Sequence, residues 1–242
     1  MLAIFFKEIN EFLDSIVGYV VIIVFLLVTG LVIWVLPDYS ILAYGYASMQ
    51  PLFTLGPYLF MFLIPAVTMK SFAEEKKTGT IELLFTLPFR DWQIIVGKYL
   101  ASYFLVLLAL LPTLIYYYSV YQLGSPTGNL DTAGIIGSYI GLVMLGGVFV
   151  SVGIISSALT GNQIVSFLLA VFLCFFFYDG IEILVGSNGN GKWPYMIQQL
   201  GIMPHYANMS KGLLELGDFG YFLLFIVFIL YGVQITLSSK RL

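Results

Sequence analysis

The chain has 242 residues, of which 60% are apolar and only 10% charged, with a formal net charge of -3. A soluble domain needs about a quarter of its residues charged to hydrate its surface, so most of this surface faces something other than water. One cysteine (Cys174) and one histidine (His205) exclude an intramolecular disulfide, a cysteine zinc site and a multi-histidine metal centre, and no basic stripe is present to meet nucleic acid.

The N-terminus does not read as a signal peptide. Lys7 is followed by Glu8, Glu11 and Asp14, and no small-x-small cleavage site closes the next apolar run. Residues 5–16 place Phe5, Ile9, Phe12, Leu13 and Ile16 on one helical face, with Lys7, Asn10, Glu11 and Asp14 largely on the other. That pattern predicts a helix lying in the membrane interface, with a frayed polar tail as the alternative.

Six apolar runs then reach the length that crosses a bilayer core, about 20 residues at about 1.5 Å each. They cover 16–36, 52–69, 96–121, 134–158, 163–183 and 220–238. Pro57 and Pro65 fall in the second run, where Pro65 is expected to kink the helix, and Pro112 falls in the third; neighbouring helices tolerate such breaks. The fourth run is rich in small residues, including Gly137-x-x-x-Gly141. These allow close backbone approach, first within one subunit and second at a dimer seam.

Lysine and arginine set the orientation. Lys7, Lys70, Lys76, Lys77, Arg90, Lys98, Lys240 and Arg241 fall on one side of a six-span plan, and only Lys192 and Lys211 on the other. Both termini and the 70–95 connection are therefore expected in the cytoplasm. The fold class is all-α, a single transmembrane domain over 1–242 with two connections long enough to hold structure, 70–95 inside and 186–219 outside. No internal repeat is evident, so an inverted-repeat carrier gains no support.

The 70–95 connection opens with a Ser-x-x-Glu capping pattern at Ser71 and Glu74. After Gly79, the run Thr80–Leu87 gathers Ile81, Leu83, Leu84, Phe85 and Leu87 on a broad apolar face, with Glu82 on the polar side, and Pro88 ends it. So short a helix is unstable alone in water and must dock on lipid, on its own bundle or on another protein. It reads as an interfacial connector or as a docking helix for a cytoplasmic partner.

The stretch Ile64-Pro-Ala-Val-Thr-Met-Lys-Ser-Phe-Ala-Glu-Glu-Lys-Lys-Thr-Gly-Thr-Ile-Glu-Leu-Leu-Phe-Thr-Leu-Pro88, followed by Gly97-Lys98-Tyr-Leu-Ala101, resembles the permease subunits of ABC-2 type transporters. Within them it is most similar to the permease of the bacterial gliding-motility ABC transporter and to multidrug-type exporters. Pro204-His-Tyr-Ala-Asn-Met-Ser-Lys-Gly212 is a weaker match to that family's external segment.

The resemblance implies a bacterial inner-membrane location and two half-transporters, formed with a second copy or a related permease. Each is bound by a separate ATPase subunit that holds ATP and magnesium, with an auxiliary membrane protein as a further partner. It implies that Glu74, Glu75, Lys76, Lys77, Gly79 and Thr80, with Ile81, Glu82, Leu84 and Phe85 of the short helix, meet the ATPase. It also implies that the external segment holding Pro204 and His205 acts as a gate.

Gly186-Ser-Asn-Gly-Asn-Gly-Lys192 fills seven positions of a P-loop, but the eighth, which must be Ser or Thr to hold magnesium, is Trp193. The segment reads as a flexible turn, and any ATPase is expected on another chain. Asp179 and Glu182, three residues apart on one face near the outer end of the fifth run, read foremost as a solvated helix end. A role in transport or gating is the alternative, because buried acids in membranes are costly and often functional. Asn208-Met-Ser210 matches a glycosylation sequon and reads as chance.

An intramembrane enzyme would need a paired catalytic set at membrane depth, whereas His205 is expected in a loop and Asp179 has no facing aspartate. A channel or ion-driven carrier would be active without ATP. The leading expectation is the transport subunit of an ABC exporter or ABC-powered machine. In a Cys174→Ala background, cysteines replacing Lys77 and Lys240 should resist an impermeant thiol reagent in whole cells, and one replacing Lys192 should label; labelling at position 77 from outside would reverse the orientation.

Overall fold

The computed structural model describes residues 1–36, 41, 47–82, 89–185 and 192–238, and the regular elements within them are helices. Six stretches are long and apolar enough to cross a membrane: Ile16–Trp34, Gln50–Thr78, Asp91–Leu123, Thr132–Leu159, Gln163–Val185 and Leu216–Ser238. They are the six expected spans, with the third and sixth beginning several residues earlier than hydropathy placed them.

Helix α1 covers Leu2–Asp14 and α2, the first span, covers Ile16–Trp34. Ser15 separates them in an extended conformation and caps α2, its hydroxyl accepting from the Gly18 amide at 3.4 Å. A Cβ on Gly18 would stand 2.6 Å from the Phe12 carbonyl oxygen, so the sharp corner between the helices requires glycine there. The inward face of α1 is Ile4, Glu8, Ile9 and Phe12. Of the expected apolar face Leu13 and Ile16 are exposed, and a glutamate points in.

The second span, α3, runs Gln50–Thr68 through both prolines. A turn leads into the short α4, Ala73–Thr78, which Gly79 ends in the left-handed conformation that only glycine enters without strain. Ile81 and Glu82 are again helical, and Leu84 and Phe85 lie outside the described residues. The third span is divided by Pro112 into α5 (Asp91–Leu110) and α6 (Thr113–Leu123). The Thr113 hydroxyl bridges the break by donating to the Leu110 carbonyl at 2.6 Å.

The fourth span, α7 (Thr132–Leu159), is the axis of the bundle, with 78% of its apolar window buried against 28% in the first, fifth and sixth spans. Lipid tails are as apolar as these side chains, so spans associate through close packing rather than hydrophobic transfer. The small residues supply that packing within the chain. Gly141 faces Tyr206, Gly146 faces Val106, Gly147 faces the Tyr99 hydroxyl, and a Cβ on Gly153 would overlap the Thr68 side chain.

The fifth span is α8 (Gln163–Phe175), a π-helical turn at Phe176–Gly180, and α9 (Ile181–Val185). Then come α10 (Lys192–Gln198), α11 (Ile202–Ser210) and the last span, α12 (Leu216–Ser238). Successive spans alternate in direction. One end of the bundle therefore collects α1, α4, the start of α5 and the end of α7; the far end collects the start of α3, α9, α10 and α11.

Gly153→Val should overpack the α3–α7 contact and cost about 1–3 kcal/mol, read as a lowered thermal midpoint of the detergent-solubilised protein. Gly217→Ala and Gly220→Ala, where an added methyl meets nothing within 4 Å, should leave the midpoint unchanged.

Candidate functional site

The α1 end is organised by Lys98, which enters from the second turn of α5 and is 2% exposed. Its ammonium donates to Glu8 Oε1 at 2.7 Å, to the Ser71 carbonyl at 2.7 Å and to Glu75 Oε1 at 2.8 Å. A lysine has three N–H donors, and all three are used. The charge also lies 5.2 Å from the centre of the Phe72 ring, within cation–π range. Lys7, on the rim, stands 3.6 Å from Glu8 and 3.7 Å from Glu75.

This arrangement needs α1 to lie against α5. Gly97 permits it, since a Cβ there would already be 3.1 Å from the Ile4 side chain.

Helix α4 is also fixed to the end of α7. The Ser157 hydroxyl oxygen accepts from the amides of Phe72 and Ala73, each at 2.9 Å, and donates to the Met69 carbonyl at 3.0 Å. Lys76 Nζ donates to the Ala158 carbonyl. The expected Ser71–Glu74 capping box is therefore not formed. The first amides of α4 are met by a side chain from another span, and the Ser71 hydroxyl has no hydrogen-bond partner.

The residues singled out in the 70–95 connection part ways here. Glu75 turns inward to Lys98, and Lys76 is tied to α7. Lys77, Gly79, Thr80 and Glu82 are exposed, Glu74 is half-buried, and Ile81 packs on the edge of the core. Between α1 and α4 lies a cavity of ≈ 530 Å³, lined by Glu8, Glu11, Lys70, Ser71, Glu75 and Lys98 among others.

At the far end His205 lies in α11, not in a loop, and is 13% exposed at its side chain. Its Nδ1 is 2.6 Å from Asp218 Oδ1, its Nε2 is 2.9 Å from the Gln199 carbonyl oxygen, and its ring stacks on Tyr221 at 4.0 Å. Both ring nitrogens thus meet oxygen atoms, a carbonyl at Nε2 and a carboxylate at Nδ1. Pro204 precedes it in α11, half-buried.

Tyr206 reaches across to donate to the Phe53 carbonyl at 2.6 Å, and Ser138 donates to the Ser210 carbonyl at 3.1 Å, fixing α11 to α3 and α7. Asp179, in the π turn, is half-buried beside Tyr58, while Glu182 is exposed. A second cavity, of ≈ 590 Å³, opens between α3, α7, α11 and the π turn, lined by Phe53, Tyr58, Tyr178 and Tyr206 among others.

The family described as ABC-2 family transporter protein matches residues 35–182. The chain belongs to that family. The matched region runs from the end of the first span into the start of α9 and holds α4, Lys98 and Ser157, leaving α1 and α11 outside it. Proteins of this family are membrane components of transporters and are not themselves catalysts. The permease is accordingly a multi-pass membrane protein, and no curated protein matches it.

Sequence reasoning passed over Lys98, Glu8, Ser157 and Asp218 as site residues. Two of them leave a signal: Glu8 is spaced i, i+4 from Ile4 and Phe12 on the apolar stripe of α1, and Lys98 sits inside a run otherwise fit to cross a membrane. By sequence Lys98 falls among the loop charges that set orientation, whereas in the fold it is buried in α5.

Lys98→Met should destabilise the permease by about 3–5 kcal/mol, because it leaves Glu8 and Glu75 facing each other without their cation. Lys98→Met with Glu8→Gln and Glu75→Gln should recover most of that loss. Both are read from thermal midpoints in one detergent.

Proposed function

We propose that the permease is the membrane half of an ATP-driven exporter, moved by a separate ATPase that binds ATP and magnesium and docks at residues 74–87. The observation that carries this reading is the anchoring of α4. Through Lys98, Ser157 and Ala158 the one long connection between spans on that side is bound to α1, α5 and α7. A force applied there therefore reaches three helices at once. Family membership supports the partnership, since ABC-2 permeases work with ABC ATPases.

In this reading the α1 end and both termini are cytoplasmic, the membrane is the bacterial inner membrane, and the far end faces outward, with α11 and the His205–Asp218 pair at the outer gate. One six-span bundle supplies half of a two-fold pathway, so the working unit contains two permeases, identical or related, and two ATPases. Service in gliding motility and an auxiliary membrane partner belong to the same proposal on resemblance.

The exposed acids of the connection contribute little, about 0–1 kcal/mol per ion pair. Apolar area from Ile81, Leu84 and Phe85, at about 25 cal/mol per Å² buried, contributes most of the docking energy. Leu84→Asp should therefore release the ATPase on co-purification in detergent while the permease still inserts and folds; Glu82→Ala should weaken retention only mildly, and Lys192→Ala not at all. Full retention and undiminished ATP hydrolysis in Leu84→Asp would leave residues 74–87 as a membrane-surface connector. The permease purified without other chains should show no ATP turnover.

A further inference from the structure

The cavity between α1 and α4 holds two buried polar groups that the permease leaves unmet. Glu75 gives Oε1 to Lys98, but its Oε2 is buried without a hydrogen-bond partner. The Ser71 hydroxyl is in the same position, on a residue only 4% exposed. Both residues line the cavity. A buried acceptor without a partner is destabilising, and a carboxylate oxygen more so than a neutral one. Lys98 cannot relieve either group, because its three donors are committed.

The lining says what would. It carries the carboxylates of Glu8, Glu11, Glu74 and Glu75 against the ammoniums of Lys7, Lys70 and Lys98, four negative charges to three positive. A cation is favoured and an anion is not. Apart from Phe12, the lining side chains end in charged or hydroxyl groups, which favours a basic partner arriving from water over a lipid. The mouth is reachable from that side: Lys7 and Glu11 have side chains 57% and 59% exposed, and Thr78 and Thr80 are exposed.

We propose that this cavity receives one basic side chain of the ATPase. Its N–H groups donate to Glu75 Oε2 and to the Ser71 oxygen as charge-assisted hydrogen bonds, and α1 forms the second wall of the docking site. The inference rests on the docking reading above and adds to it. In that reading Ile81, Leu84 and Phe85 supply area, and the cavity supplies a single charged contact that reports directly on the Lys98 cluster. A side chain entering here touches Glu75 from one side while Lys98 holds it from the other, so binding of the partner is felt by α5 without any rearrangement of α4.

The test uses the permease purified with its ATPase through a tag on the permease, reading the Kd for re-bound ATPase across a salt series. Glu75→Gln keeps an oxygen for Lys98 and replaces Oε2 with a donor. It should weaken binding at least ten-fold and flatten the salt dependence in permease that still inserts and folds; Ser71→Ala should weaken binding about three-fold.

If Glu75→Gln binds like wild type while Leu84→Asp does not, docking stands and the cation is overturned. If both bind like wild type, docking falls as well. Should Glu75→Gln lower the thermal midpoint, p-benzoylphenylalanine in place of Thr78 decides. Its cross-linked ATPase peptide should contain a lysine or arginine whose change to Met reproduces the ten-fold loss, and a peptide without one, or no cross-link, overturns the proposal. An ethanolamine phospholipid held by wild type in native mass spectrometry and lost in Glu75→Gln, with ATPase binding unchanged, would also overturn it.

Discussion

A lysine ammonium taken out of water loses hydration worth several kcal/mol even after the surroundings relax. Lys98 is 2% exposed, so the structure around it must return that energy in full. It does so with two carboxylates and a carbonyl, each from a different place in the chain: Glu8 from α1, Glu75 from α4 and Ser71 from the turn before α4. Removing any one of the three takes an acceptor from a buried ammonium. The position of α1 along α5, the inward turn of Glu75 and the cavity between α1 and α4 all follow from that one requirement.

The rest of the bundle holds this cluster in place by close packing. Helix α7 brings Ser157 to the first amides of α4 at one end and Ser138 to α11 at the other. Helix α3 runs beside it, accepting from Tyr206 at Phe53 and lying against Gly153 at Thr68. Two buried helices thus connect the anchored α4 with the far-end α11, which the His205–Asp218 contact joins in turn to the last span. Proline within α3 and the π turn after α8 are tolerated because neighbouring helices surround those positions.

The six spans and the separate helix α1 were legible because each is a property of consecutive residues. Hydropathy over about 20 positions marks a span whatever its neighbours are. The family-like stretch from Ile64 to Pro88 is likewise continuous in the chain. Local patterns misled where a distant group competed. Ser71 and Glu74 have the spacing of a capping box, but Ser157, more than eighty residues later in the chain, meets those amides. His205 lies among loop-like residues, yet folds into α11 between Gln199 and Asp218.

By itself the sequence determined an all-helical membrane protein of six spans, because a bilayer imposes length and apolarity on any segment that crosses it. Only the tertiary structure decided which charges are solvated and which are structural. Lys76, Lys77 and Lys98 look alike in the chain, but Lys77 is exposed, Lys76 is tied to Ala158, and Lys98 joins three segments. The physical reason is that a charge's role depends on the desolvation it suffers and the partners it finds, and for Lys98 one of those partners lies 90 residues away along the chain.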